Sequence, residues 1–232
     1  MWLRNGLGHL IRALGYGVAA WMRKVALAIV LSLLPFAVTA QTLTIAALGD
    51  SLTAGYGLPT QDGLVPQLQD WLQERGHDVK MVNAGVSGDT TRGGLARTDW
   101  TLTPEVGAMI VALGGNDVLR GIDPKSSRAN LEAILQKARA QGVPVLLIGL
   151  QAPSNYGADY KQAFDSMYPD LAKKYGALLH ENFFAGLLDG MDRAQALRKY
   201  MQPDGIHPNA KGVSVLVTQI GPSVEELIRT TN

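Results

Sequence analysis

Residues 45–57, with the sequence IAALGDSLTAGYG, constrain the fold more than any other stretch of the chain. The segment opens with four apolar residues and breaks at once into Gly49, Asp50 and Ser51. This pattern is typical of a buried parallel strand that ends in a tight turn. In open α/β sheets, ligands bind beyond the carboxyl ends of the strands, where helix N-termini present backbone N–H groups. Ser51 is therefore a candidate nucleophile.

Two later apolar runs end in glycine and small polar residues in the same way. Residues 79–84 run into GVSGDT, and residues 108–113 run into GGND, which contains Asn116 and Asp117. Two further strands are predicted at 143–149 and 177–179, and helical periodicity predicts helices at 61–75, 126–141, 160–175 and 209–229. Strands that alternate with helices of this length predict a parallel sheet covered on both faces.

The segment DGIHP, from Asp204 to Pro208, supplies the groups that a serine nucleophile needs. Its spacing lets Asp204 accept a hydrogen bond from one ring nitrogen of His207, while the other nitrogen faces outward as a base. A metal site is the alternative role for this pair. We predict no metal, because the chain's other histidines lack ligand spacing: His9, His77 and His180.

Simpler roles are open for some of these residues. Ser51 could cap the helix that is predicted to begin near Leu52. Asn116 could likewise be only an N-cap. For Asp50 we expect a structural role as a turn or cap residue, and for Asp117 the role of an N-cap.

Four segments resemble, in order, the sequence blocks of the GDSL or SGNH hydrolases: GDSLTAGYGL, NAGVSGDTTRGGLAR, LGGNDVLRG and DGIHPNAKG. Within that family the chain is most similar to the periplasmic esterases of the acyl-CoA thioesterase I, lysophospholipase L1 and arylesterase type. The resemblance covers roughly residues 42–229. It implies a three-layer α/β/α sandwich whose five-stranded parallel sheet has the flavodoxin-like order 2-1-3-4-5, which periodicity cannot supply.

The resemblance also implies a serine hydrolase that cleaves esters and thioesters of acyl chains, including lysophospholipids, without a cofactor. Ser51 would be the nucleophile, and Asp204 and His207 the base pair. The oxyanion hole would consist of the backbone N–H groups of Ser51 and Gly88 with the side-chain amide of Asn116. A carbohydrate O-acetylesterase of the same fold and a catalytically silent lipid- or sugar-binding domain are the alternatives.

The substrate-binding residues are predicted from loops. The segment that contains Asn155 and Tyr156 resembles the border of the acyl groove in these esterases. We expect the apolar lining of the substrate pocket to be formed by Tyr56, Tyr156 and Ile206, together with Leu150 and Pro153. Ordinary loop packing is the alternative role for all of these residues.

The first forty residues have the pattern of a cleavable secretory signal. Arg23 and Lys24 precede an apolar run that starts at Val25, and small residues end the segment at Ala40. We expect cleavage after Ala40, a signal proper at 22–40 that starts from Met22, and a single hydrolase domain at 41–232 in the periplasm or outside the cell. The alternatives are a membrane anchor and, for residues 1–21, an amphipathic helix on a membrane surface.

The charge balance and the absence of cysteine restrict the partners. With 21 basic and 20 acidic residues, the chain lacks the excess of positive charge that is typical of proteins that bind polyanions. Nucleic acid is therefore not an expected partner. With no cysteine, it has neither a disulfide framework nor a thiol nucleophile. We expect a monomer, without a stable membrane span after signal removal, that acts on a small-molecule substrate.

Overall fold

The computed structural model describes residues 42–187 and 190–231, so the predicted signal peptide at 22–40 and cleavage after Ala40 lie outside the described residues. Within them, five parallel strands form one sheet with the order β2-β1-β3-β4-β5, which confirms the expected order. The strands are β1 (Leu43–Gly49), β2 (Val79–Gly85), β3 (Val106–Ala112), β4 (Val145–Ile148) and β5 (Leu178–His180).

Strands β1 and β3 lie inside the sheet and are buried on both faces. Ile45 and Leu48 of β1 are fully buried, as are Met109 and Val111 of β3. A strand covered on both faces has no solvent side, which is why its sequence is continuously apolar. Strand β2 lies at an edge of the sheet, and only Val79 and Met81 of its seven residues are buried.

Eight helices are found in the described part of the chain, with short 3₁₀ turns at Thr60–Asp62 and Ser154–Tyr156. They are α1 (Ser51–Ala54), α2 (Leu64–Gln73), α3 (Thr91–Thr101), α4 (Gly115–Leu119), α5 (Pro124–Ala140), α6 (Ala158–Tyr175), α7 (Arg193–Tyr200) and α8 (Ala210–Arg229). Helix α2 packs against α8, while α5 packs against both α3 and α6. These two groups are the outer layers of the α/β/α sandwich. None of these helices, within 42–187 and 190–231, is long and apolar enough to cross a membrane.

Glycines let the first helix lie directly on the ends of the strands. A Cβ atom at Gly85, the last residue of β2, would lie 2.3 Å from the backbone nitrogen of Ala54 in α1. A Cβ atom at Gly49, the last residue of β1, would lie 2.0 Å from the hydroxyl of Thr53. The short helix that begins with Ser51 is thereby held against the carboxyl edge of the sheet.

Candidate active site

Ser51 is the first residue of α1, and its neighbour Asp50 caps this helix. The Asp50 carboxylate accepts a hydrogen bond from the backbone N–H of Leu52 at 3.0 Å. The helix ends after one turn at Gly55, whose left-handed backbone has φ 80°. The alternative in which Ser51 caps the helix is therefore wrong, whereas the expected cap role of Asp50 is confirmed.

The Ser51 hydroxyl forms one end of a hydrogen-bonded chain of three side chains. Its Oγ lies 2.9 Å from Nε2 of His207, and Nδ1 of the same ring lies 2.6 Å from Oδ2 of Asp204. The sequence separates Ser51 from His207 by 156 positions, and the fold brings them together at the sheet edge. This arrangement has the geometry of a nucleophile, a base and a carboxylate that orients the base.

Asp204 is fixed by its own loop as well as by the imidazole. Its Oδ1 accepts hydrogen bonds from the backbone N–H groups of Ile206 at 2.9 Å and His207 at 3.0 Å. The backbone N–H and then the ring of His207, followed by the N–H of Ile206, lower the pKa of Asp204 from 3.8 to about 2. Asp204 is therefore a carboxylate at neutral pH and can stabilise an imidazolium on His207.

The three predicted oxyanion-hole residues, Ser51, Gly88 and Asn116, border one pocket together with His207. Within the described residues, no hydrogen bond uses the backbone N–H of Ser51 or of Gly88. Gly88 has φ 86°, a backbone conformation that favours glycine. Nδ2 of Asn116 lies 3.4 Å from Oδ2 of Asp50, a contact that points its amide toward the start of α1. Two backbone donors and one amide are thus available beside the hydroxyl.

Asp50 combines deep burial with few hydrogen bonds. Its exposed fraction is 2%. Burial raises its pKa from 3.8 to about 6, and the hydrogen bonds from Leu52 and Asn116 oppose that rise only in part. Asp50, the residue before the candidate nucleophile, therefore has a carboxyl group whose ionisation destabilises the folded protein.

Arg97 of α3 fastens the loop that carries Gly88 to the ends of β1 and β2. Its guanidinium donates to the carbonyl of Gly49 at 2.7 Å, to the carbonyl of Ala84, and to the carboxylate of Asp89 at 2.6 Å. Because Gly49 and Asp89 lie close in sequence to Ser51 and Gly88, one side chain holds both candidate backbone donors in register.

Asp117 connects the segment of Asn116 to two neighbouring helices. Its buried carboxylate accepts hydrogen bonds from the backbone N–H of Thr91 at 2.8 Å, the Thr91 hydroxyl at 2.6 Å and the Ser127 hydroxyl at 2.7 Å. Asp117 thus has a structural role, but the expected N-cap role is wrong, because it binds the N-terminus of α3 instead. Gly114 occupies the N-cap position of α4, so the N-cap alternative for Asn116 is wrong as well.

A pocket of about 630 Å³ opens beside these groups and has a mainly apolar lining. Tyr56 and Ile206 line it, as do Leu150 and Pro153. The Tyr56 ring also packs on the imidazole of His207, with ring centroids 4.6 Å apart. Asn155 and Tyr156 stand outside this lining, on the 3₁₀ turn Ser154–Tyr156, where Tyr156 contacts the ring of Tyr160 at 4.8 Å. Their substrate-binding role stays a prediction.

The pocket has an apolar wall that was not predicted from the sequence. Its members lie on α7 and in the segments that flank it: Phe184, Leu187, Ala196, Leu197 and Met201. The sequence feature that could have predicted α7 is a capping box, in which Asp192 and Gln195 exchange hydrogen bonds at the start of this helix. This wall gives the pocket room for an extended apolar group.

In the part of the chain that the structure describes, no group of three or more His, Asp or Glu side chains is placed to hold a metal ion. The groups at this site are suited to acyl transfer. They are a serine hydroxyl, an imidazole oriented by a carboxylate, and three neutral hydrogen-bond donors beside an apolar pocket.

Comparisons with known proteins agree with this chemistry. A sequence profile described as the GDSL-like lipase/acylhydrolase family matches residues 47–215. Esterase TesA from Pseudomonas aeruginosa is 40% identical over 208 residues, which cover 89% of this chain and 100% of the relative. Thioesterase 1/protease 1/lysophospholipase L1 from Escherichia coli is 36% identical over 193 residues, 83% of this chain and 87% of the relative. Among solved structures, the SGNH-hydrolase family esterase AlinE4 is 41% identical with a TM-score of 0.65, covering 80% of this chain and 96% of that chain.

Proposed function

The chain belongs to the GDSL-like lipase/acylhydrolase family of ester-hydrolysing serine enzymes, and we propose that it cleaves acyl esters and thioesters through an acyl-enzyme on Ser51. The observation that carries this proposal is the continuous hydrogen-bonded chain from Asp204 through His207 to the Ser51 hydroxyl, with distances of 2.6 and 2.9 Å, at the border of the pocket.

In the first step, Oγ of Ser51 attacks the carbonyl carbon while Nε2 of His207 takes the hydroxyl proton. The new positive charge on the imidazole is stabilised by Asp204, which also keeps the ring in the tautomer that leaves Nε2 free to accept. The carbonyl oxygen becomes negative and accepts hydrogen bonds from the N–H groups of Ser51 and Gly88 and from the Asn116 amide. Loss of one such donor typically lowers turnover roughly a hundredfold to a thousandfold.

The tetrahedral intermediate then collapses, and His207 returns the proton to the leaving alcohol or thiol. In the second half, His207 takes a proton from a water molecule as its oxygen attacks the acyl-enzyme carbonyl. Cleavage of the acyl–Oγ bond releases the carboxylic acid, and His207 returns its proton to Oγ, which restores the Ser51 hydroxyl. Neither half requires a metal ion or a cofactor.

We propose medium or long acyl chains as the preferred group, and lysophospholipids among the substrates. The apolar wall formed by α7 and its flanking segments supports this choice, because it offers a surface for methylene groups beside the reacting carbonyl. The pocket volume falls within the range of about 300–1,000 Å³ that is common for small-molecule sites. The relatives named for esterase, thioesterase and lysophospholipase activity support the same substrate classes.

A fluorophosphonate probe followed by mass spectrometry of the labelled peptide tests the mechanism. We expect an adduct on Ser51 that is lost in His207→Ala and retained in Ser214→Ala, which changes an exposed serine on α8. We also expect Ser51→Ala to lose hydrolysis while its circular dichroism spectrum is unchanged. Activity retained by Ser51→Ala, or an unlabelled Ser51 in folded wild-type protein, would contradict the proposed mechanism.

A comparison of leaving and acyl groups tests the substrate class. We expect turnover of p-nitrophenyl esters and acyl-CoA thioesters to exceed that of an acetylated sugar. The reverse order would favour a carbohydrate O-acetylesterase, whereas no turnover by any of them would favour a binding domain.

We further propose that the mature protein begins after Ala40, comprises the single domain 41–232, and acts in the periplasm or outside the cell. The basic, apolar and small-residue order of residues 22–40 supports this. N-terminal sequencing of the exported protein tests it, and a mature chain that begins upstream of Arg23 would contradict it.

A further inference from the structure

Gln202 joins the loop that carries Asp204 and His207 to the segment that carries Ser51. Its side-chain Nε2 donates to the carbonyl of Tyr56 at 2.7 Å and to the carbonyl of Pro208 at 2.9 Å. A primary amide has two N–H groups on one nitrogen, and both are used here.

The backbone of Gln202 closes the same loop. Its N–H donates to the carbonyl of His207 at 2.7 Å, and its carbonyl accepts from the N–H of Gly205 at 3.0 Å. Together with the Asp204 hydrogen bonds described above, these contacts make residues 202–208 a small, internally bonded unit. Such a unit must still be placed against Ser51.

Few contacts perform that placement. In the described residues, two hydrogen bonds join 202–208 to the nucleophile segment 50–58: the bond between His207 and the Ser51 hydroxyl, and the bond from Gln202 to the carbonyl of Tyr56. The first of these hydrogen bonds is lost when the Ser51 proton moves to Nε2 of His207. The second does not change during the proposed reaction and can hold the distance throughout.

The neighbouring sequence leaves space for the Gln202 amide. Gly57 has φ 74°, and a Cβ atom there would lie 2.3 Å from Oε1 of Gln202. Tyr56, whose carbonyl receives the hydrogen bond, also places its ring on the imidazole of His207. One short turn therefore contacts the base both directly and through Gln202.

We propose that Gln202 is a positioning residue, which fixes the His207 imidazole against the Ser51 hydroxyl by bridging the carbonyls of Tyr56 and Pro208. This inference rests on the proposed function of Ser51 and His207. Its expected effect is large, because a misplacement of about 1 Å in a catalytic group can lower the rate about a hundredfold.

Gln202→Met keeps the length of the side chain and removes both donors. We expect kcat for p-nitrophenyl butyrate to fall about tenfold to a hundredfold, with KM within about twofold, because the pocket lining is unchanged. Labelling of Ser51 by the fluorophosphonate should slow by a similar factor. The matched control is Gln136→Met on α5, which removes one amide hydrogen bond to the Tyr175 hydroxyl far along the chain from the site and should keep wild-type kcat.

The same substitution in a His207→Ala background separates positioning from support of the fold. If Gln202 acts through the imidazole, its loss should not lower the residual activity of His207→Ala any further. An equal fold-loss in both backgrounds would overturn the proposal, as would wild-type kcat in Gln202→Met.

Gly57→Ala disturbs the contact from the other side and serves if Gln202→Met does not fold. We expect the same loss of kcat at similar KM, and unchanged kcat would overturn the proposal. Failure of the proposed function gives a different result, because wild-type Ser51 would then not react with the probe and Ser51→Ala would remain active.

Discussion

Replacing Asp50 with asparagine is expected to stabilise the protein at pH 8 while lowering its activity. The wild-type carboxylate is almost completely buried, and burial raises its pKa from 3.8 to about 6. Asparagine has nearly the same shape and can still accept the hydrogen bond from Leu52 that caps α1. The substitution therefore removes a charge without removing the cap.

The magnitude follows from the linkage between protonation and folding. The folded state binds the Asp50 proton more tightly than the unfolded state does. The ionised Asp50 therefore destabilises the folded protein: the destabilisation is absent well below pH 3.8, grows between pH 3.8 and 6, and is complete above pH 6. The pKa difference corresponds to about 3 kcal/mol at neutral pH. Loss of the acceptor for Asn116 costs Asp50→Asn about 1 kcal/mol at every pH. We therefore expect a gain of about 2 kcal/mol at pH 8 and a net loss of about 0.5 kcal/mol at pH 4.

Urea denaturation at the two pH values measures this gain. The decisive quantity is the change in the free energy of unfolding at pH 8 minus that at pH 4, because pH-independent effects of the substitution cancel in it. Asp70→Asn, at an exposed position of α2, should show no such difference. An Asp50→Asn variant that is equally stabilised or destabilised at both pH values would refute the reasoning. Its kcat should be about tenfold lower, since Asn116 loses the carboxylate that orients its amide.

Three further substitutions test other parts of the site. Arg97→Lys should lower kcat about tenfold and lower the melting temperature. The three acceptors, the carbonyls of Gly49 and Ala84 and the Asp89 carboxylate, are reached by three different nitrogens of the guanidinium, whereas the donors of an ammonium all lie on one nitrogen. Unchanged steady-state kinetics would contradict the anchoring role. Asp117→Ala should lower the free energy of unfolding by about 3 kcal/mol or more, because it leaves buried donors on Thr91 and Ser127 without their acceptor. A decrease of less than about 1 kcal/mol in urea denaturation would contradict this. Leu197→Trp should narrow the pocket and reduce turnover of long-chain esters more than that of acetyl esters; an equal effect on both would place the acyl chain elsewhere.

The sequence predicted the interior of the sheet better than the helices around it. Continuous apolar runs such as 45–48 and 108–113 have few alternatives to a buried strand. By contrast, α3 contains Gly93 and Gly94 and a largely polar surface, so periodicity alone did not identify it. The strand order came from the family resemblance, because periodicity contains no information about which strands are neighbours.

The site was predictable to the extent that its residues follow strand ends. Ser51 and Asn116 come directly after predicted strands, and the spacing of Asp204 and His207 permits their mutual hydrogen bond. The roles of Arg97 and Gln202 were not predictable, because each depends on backbone carbonyls from distant segments that only the folded chain brings together. The alternative cap role of Ser51 is ruled out only by the folded structure, in which Asp50 occupies the cap position.

The distance along the chain between Ser51 and its proposed base, His207, matters during biosynthesis. The ribosome makes Ser51 early and reaches His207 only 156 positions later. A nascent chain that stops short of the loop 202–208 contains the hydroxyl, both backbone donors and the Asn116 amide, but nothing to accept the proton. We expect such stalled chains to be inert toward a fluorophosphonate. Under the proposed mechanism, hydrolysis therefore requires a chain that has been synthesised at least through His207.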